Sequence, residues 1–158
     1  MQAVKPYTRD ALFSGFRNAL RVTQILTRSY TFALAQSVHL KKVTLNDCEQ
    51  EEDICSLDRN ETMRLKIKFH TKRKVMGGTP KSCVTKRSGR KVCSDLTDSR
   101  ANICNSIAPS CPLAKNKTYT YRLIDKATSF KYNGNLQFKL KDMQNKTFLC
   151  LKIAVDVN

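Results

Sequence analysis

Seven cysteines stand in this chain of 158 residues, and their spacing says more about its chemistry than any other residue type does. None forms the Cys-x-x-Cys pairs of a structural zinc site or a thioredoxin-like centre. Cys104 and Cys111 bracket a short loop closed by Pro112, the alternating segment Thr118-Tyr119-Thr120-Tyr121 follows, and Cys150 falls inside a later apolar strand pattern. That pattern describes a disulfide-stapled β-sandwich made for an oxidising compartment, so the expected location is secreted or in the endolysosomal lumen. Cys83 and Cys93 lie symmetrically about Ser88-Gly89. A hairpin turning there would face them as a cross-strand disulfide, and two free buried thiols are the alternative. Because seven is odd, one thiol must stay unpaired in the expected monomer.

Catalysis finds little support. His39 and His70 are the only histidines, and no Gly-x-Ser-x-Gly elbow, His-Glu-x-x-His helix or Gly-rich phosphate loop is present. The acids Asp47, Glu49, Glu51, Glu52 and Asp53 cluster around a short loop, where a solvated turn is the expectation and a calcium site the alternative. The reading is therefore a protein that is not an enzyme and needs no metal or cofactor.

The formal charge is +16, from 29 Lys and Arg against 13 Asp and Glu. It favours nucleic acid, sulfated glycans or acidic membrane surfaces as partners. Lys72, Arg73, Lys74, Lys81, Lys86, Arg87, Arg90 and Lys91 crowd one hairpin region. Nucleic-acid binding needs exposed aromatic rings for stacking, and here the aromatics fall on the apolar phase of the strands, so transient docking to an acidic membrane is expected and nucleic acid is not. Asn60, Asn116 and Asn145 each begin an Asn-x-Thr acceptor for glycosylation.

The elements that position these groups are strands. Leu65, Ile67 and Phe69 alternate with Lys66 and Lys68, and Leu136, Phe138 and Leu140 with Gln137, Lys139 and Lys141; Tyr119, Tyr121 and Leu123 alternate with Thr and Arg; and Leu149, Leu151, Ile153, Val155 and Val157 form a fourth series. Turn residues stand between them at Asp58-Arg59-Asn60, Gly77-Gly78-Thr79-Pro80, Ser88-Gly89 and Asn133-Gly134-Asn135. An all-β sandwich follows. Residues 1–36 differ: they hold no cysteine, and Arg17, Arg21 and Arg28 are set among apolar residues at helical spacing over about 10–28. This stretch reads as an atypical segment outside the sandwich of residues 37–158. It lacks the unbroken apolar run of a secretory signal; its arginine-rich pattern is that of a mitochondrial transit peptide, at odds with the cysteines, and the expectation is an unreliable start standing in place of a true signal peptide.

Residues from Leu40 onward resemble the ML lipid-recognition family, that of the Niemann-Pick type C cholesterol carrier and the group-two mite allergens. The resemblance rests on Val43-Thr44-Leu45 leading into Cys48 and Cys55, on Cys104 with Cys111-Pro112-Leu113 and Lys117-Thr118-Tyr119-Thr120-Tyr121, and on Phe148-Leu149-Cys150-Leu151-Lys152-Ile153. It implies an immunoglobulin-like sandwich of two antiparallel sheets, disulfides Cys48 to Cys55 and Cys104 to Cys111, and a partner for Cys150 near Gln36 or Ser37, where no cysteine exists. It also implies a sterol or fatty-acyl lipid held between the sheets by the inward residues Leu65, Ile67, Phe69, Tyr119, Tyr121, Leu123, Leu136, Phe138, Leu140, Leu149, Leu151 and Ile153, with Phe130 and Tyr132 at the pocket mouth. An innate-immunity or allergen-like protein that recognises a microbial glycolipid or a receptor is the alternative function. Without the resemblance, the same faces would read as a sealed core.

Overall fold

The computed structural model describes residues 30–32, 37–48, 52–85 and 88–158. Its strands are β1 (Tyr30–Phe32), β2 (Val38–Leu45), β3 (Cys55–Leu57), β4 (Thr62–Thr71) and β5 (Gly78–Thr85), then β6 (Lys91–Asp95), β7 (Ile107–Ala108), β8 (Thr118–Lys126), β9 (Tyr132–Asp142) and β10 (Thr147–Val157). Two short 3-10 turns, Asp98–Ala101 and Ile103–Asn105, lie between β6 and β7. One sheet has the order β1-β10-β9-β5-β6, and β3 runs parallel to β10; the second sheet has the order β2-β4-β8-β7. The result is the expected all-β sandwich.

Period two decides which side chains go inside. In β4, Met63, Leu65, Ile67 and Phe69 are buried while Arg64, Lys66 and Lys68 are exposed. Their inward row meets that of β8 in register, Leu65 opposite Leu123, Ile67 opposite Tyr121 and Phe69 opposite Tyr119. The facing sheet supplies Leu136, Phe138 and Leu140 from β9 and Leu149, Leu151 and Ile153 from β10, all buried. Each fully buried side chain of this size stabilises by about 1.5–3 kcal/mol, so the inter-sheet layer dominates the folding energy.

Several local signals turn out differently. The turn expected over Gly77–Pro80 ends before Gly78, because Gly78, Thr79 and Pro80 already pair with Asp142, Lys141 and Leu140 of β9. Pro80 is tolerated there because the pairing with β6 begins only at Lys81, leaving no ladder bond on that side for its missing N–H to make. Gly78 permits the close approach: a Cβ would lie 1.8 Å from the Lys141 carbonyl oxygen. Asn133-Gly134-Asn135 is likewise strand, paired with Asp156, Val155 and Ala154. Gly134 leaves room for the Tyr132 ring, whose hydroxyl would lie 2.7 Å from a Cβ at that position.

At the amino-terminal side, Tyr30, Thr31 and Phe32 pair with Ile153, Lys152 and Leu151. The six-stranded sheet thus takes its edge strand from upstream of residue 37, where the sequence pattern starts the sandwich. The helix expected over 10–28, along with Gln36, Glu49, Glu51, Lys86 and Arg87, lies outside the described residues.

The β9–β10 turn is held by one carboxylate. Asp142, 8% exposed, accepts hydrogen bonds from Arg73 Nη2 (2.7 Å) and from the backbone N–H groups of Gln144 (3.0 Å) and Lys146 (2.9 Å). Desolvation raises its pKa, but the hydrogen bonds from Arg73 and the two amides outweigh it and leave the carboxyl below its ordinary value of 3.8. A depressed folded-state pKa gives stability that is present above the unfolded value and lost as pH falls through the folded one. Below about pH 4, hydrogen exchange at the Lys146 amide is expected to accelerate relative to the Leu140 amide of β9. Asp142→Asn should remove that step; a step that survives the substitution would assign it to another carboxyl.

Candidate functional site

The cysteines form the frame around the interior. Disulfides join Cys48 to Cys55, Cys83 to Cys93 and Cys104 to Cys111. The second is cross-strand, with Cys83 of β5 directly opposite Cys93 of β6. Gly89, at φ +79°, lies in the connection between them, a backbone conformation that glycine adopts without steric cost. Cys150 is a free, buried thiol on the outward phase of β10, and Gln137 Nε2 donates to its sulfur at 3.1 Å. Lys91 in turn donates to Gln137 Oε1. Burial first, then repulsion from Lys139, pushes the Lys91 ammonium pKa down.

Three aromatic pairs knit the layer between the sheets. Tyr121 of β8 meets Phe138 of β9 across the gap, with ring centroids 5.4 Å apart. Phe69 of β4 meets Phe148 of β10, also across the gap, and Tyr119 beside it, both at 6.4 Å. Phe148 is fully buried although it is out of phase with Leu149 and Leu151, because a register shift between Thr147 and Leu149 turns it inward. Alternation alone assigns it no face, and the bulge that does so has no sequence signature here.

The hydroxyls of these tyrosines are handled in three ways. Tyr119 Oη accepts from the Ala114 N–H at 2.7 Å. Tyr132 Oη accepts from the Thr85 N–H at 3.1 Å and donates toward the carbonyls of Thr85 (2.8 Å) and Asn135 (3.0 Å), so its polar end is committed to tying β9 to β5. Tyr121 Oη is buried with no hydrogen-bond partner, alone among buried side-chain nitrogen and oxygen atoms of the described residues. Burial drives the Tyr121 phenol pKa well above its ordinary 10.0. Ser106 lies close enough to bias the titration downward, but the two hydroxyls do not meet in hydrogen-bonding geometry.

Of the fourteen residues placed at a lipid site by sequence, all but Phe130 and Tyr132 come together between the sheets, at 7% exposure or less. Tyr132 is buried at one end, and Phe130 is half exposed beside it; together with Lys131, Asn133, Asp156, Val157 and Asn158 they line an open concavity of about 490 Å³. A second concavity, about 450 Å³, lies along the β7–β8 side and is lined by Arg100, Asn105, Ser106, Ile107, Arg122 and Ile124 among others. Ile107 is paired with Tyr121, so this concavity adjoins the strand that carries the orphan hydroxyl. Arg100 there is held by Asp125 at 2.6 Å. Asn60, Asn116 and Asn145 are exposed at turn positions with φ of 60°, 60° and 62°.

Comparison with known proteins bears on this architecture. A comparison with curated proteins found no match. Among solved structures, a Niemann-Pick type C2 protein from Japanese carpenter ant superposes with a TM-score of 0.65 at 16% identity, over 82% of this chain and 98% of that one. Chicken MD-1 complexed with lipid IVa gives a TM-score of 0.49 at 10% identity, over 79% of this chain and 85% of that one. The family profile described as ML domain matches residues 33–157, which include the paired cysteines, the Tyr119–Tyr121 strand and both sheets' inward rows, and the chain therefore belongs to the ML domain family.

Proposed function

We propose that this protein binds a lipid, a sterol or a fatty-acyl lipid, between its two sheets and carries it without a catalytic step. The observation that carries the reading is the Tyr121 hydroxyl, buried against Phe138 with nothing to bond. A buried polar group without a partner costs about 1–3 kcal/mol. A ligand headgroup or hydroxyl that reached it from the adjoining concavity would recover that cost, while the apolar remainder of the ligand would lie among Leu, Ile and Phe side chains. Membership of the ML domain family supports the same reading. The inward rows are buried, and the entry route belonging to this proposal is the β7–β8 side, beside the second concavity. Phe130 at the open end and the interior leucines belong to the proposal as ligand contacts. Three disulfides support a secreted or endolysosomal location. Glycans on the exposed Asn60, Asn116 and Asn145, and transient contact with acidic membranes, are part of it.

Tyr121→Phe is the test. The lipid-free variant should be at least as stable as the natural protein, because the unsatisfied group is gone. Its affinity for a fluorescent sterol or fatty acid should fall by about 2- to 10-fold, the worth of one hydrogen bond. Unchanged affinity would remove Tyr121 from the site, and failure of the natural protein to bind either probe would end the carrier reading.

A further inference from the structure

We infer that the solvent face of the four-stranded sheet is a docking surface for a linear sulfated polysaccharide. The face is built from the outward phase of three paired strands: Lys42 from β2, Arg64, Lys66 and Lys68 from β4, and Arg122 and Lys126 from β8, all exposed. Register stacks like charge on like charge. Lys42 is directly opposite Lys68, and Lys66 is directly opposite Arg122. Such neighbours are about 5 Å apart across the strands and about 7 Å apart along one. Like charges at opposed positions destabilise a sheet, and a solvent face ordinarily mixes signs. No Asp or Glu occupies an outward position of these strands, and among the described residues no ion pair holds Lys66, Lys68 or Arg122. The opposed Lys66 and Arg122, with Lys68 beside them, hold a positive field that a polyanion would relieve.

The surrounding side chains decide which polyanion. A bilayer is met by apolar or aromatic side chains set among the cations. Among the described residues Ile124, opposite Arg64, is the one exposed large apolar side chain on this face, and a single isoleucine gives a bilayer little to take up; Met76, Met143 and Phe130 lie in connections, Ile54 stands just before β3, and Val92 is on β6 of the other sheet. A nucleic acid would need exposed rings to stack on its bases. The aromatics of these strands, Phe69, Tyr119 and Tyr121, all point into the interior. What remains is recognition by charge alone along a flat cationic track, suited to a sulfated glycan of the oxidising compartment that the disulfides call for. The inference does not depend on what the interior binds.

The experiment uses the full chain and immobilised heparin as the probe, with affinity measured over a salt series. Lys66→Gln with Lys68→Gln should weaken binding about tenfold and lower the slope of log affinity against log salt by about two, one per cation lost. Lys139→Gln with Lys152→Gln, which removes the same charge from the solvent face of the other sheet, should leave both nearly unchanged. The first pair should also unfold at no lower temperature than the natural protein, since it relieves the opposed charges; if it fails to fold, Arg122→Gln with Lys126→Gln replaces it. Equal losses from both sheets would reduce the effect to net charge and overturn the proposal. So would absence of heparin binding, or loss of phosphatidylserine-vesicle binding in the Lys66→Gln, Lys68→Gln variant with heparin binding kept.

Discussion

Replacing Phe69 with Ala is expected to destabilise the domain by about 3–5 kcal/mol. Phe69 is fully buried and joins the two sheets through Phe148 while flanking Tyr119 on its own sheet. Truncation therefore loses the transfer energy of the ring and leaves a void that strands fixed by their ladders cannot close. Since a domain of this size has only about 5–15 kcal/mol in hand, urea unfolding should show a large fall in midpoint with little change in slope. The neighbouring substitution Lys68→Glu is the contrast: its side chain faces water opposite Lys42, and stability should change by no more than about 0.5 kcal/mol. The same cavity variant also bears on the proposed function. If lipid enters between the sheets, adding a fatty acid or sterol at a hundred times its Kd should return about 2.7 kcal/mol, whereas a loss that lipid does not relieve would mean that the interior admits none.

Reduction of the three disulfides is expected to unfold the protein altogether. The bridges span sequence separations of 7, 10 and 7. On the chain-entropy estimate each contributes about 2.5 kcal/mol, about 7–8 kcal/mol together, which matches the whole margin of a modest domain. No bridge ties the first strand to the last, because Cys150 is unpaired. Access sets the order of reduction. Cys93 is exposed on the edge strand β6, whereas Cys55 is fully buried. Stepwise reduction followed by alkylation and peptide mapping should release Cys83–Cys93 first with the sheet signal in circular dichroism retained, and Cys48–Cys55 last with the signal lost. Retention of the sheet signal after all three are open would show that packing alone suffices.

Four strands were legible directly. The alternations at Leu65–Phe69, Tyr119–Leu123, Leu136–Leu140 and Leu149–Val157 are β4, β8, β9 and β10, because period two is a local property and the buried phase of a strand is written in consecutive residues. The pairing of Cys83 with Cys93 about Ser88-Gly89 was legible for the same reason: a hairpin relates residues close in the chain. The strands β1 and β3 were not, since three residues carry no period and both exist only as partners to the edge of β10. Gly134 and Pro80 read as turn residues, but each occupies a strand position where a distant neighbour removes its usual penalty: the Tyr132 ring fills the space over Gly134, and β6 ends before Pro80.

The candidate sites divide in the same way. Sequence alone assigned Tyr121 to the interior and Lys66 and Lys68 to water. That the Tyr121 hydroxyl is left without a partner depends on how Ser106, Arg100 and Phe138, from three other segments, arrive around it. That the lysines oppose other cations depends on the register of β2 and β8 against β4. A residue's own neighbours in the chain set the face it takes, whereas register and the fit of one sheet on another are settled by pairings between residues tens of positions apart, and those are energies of the folded chain that no local stretch contains.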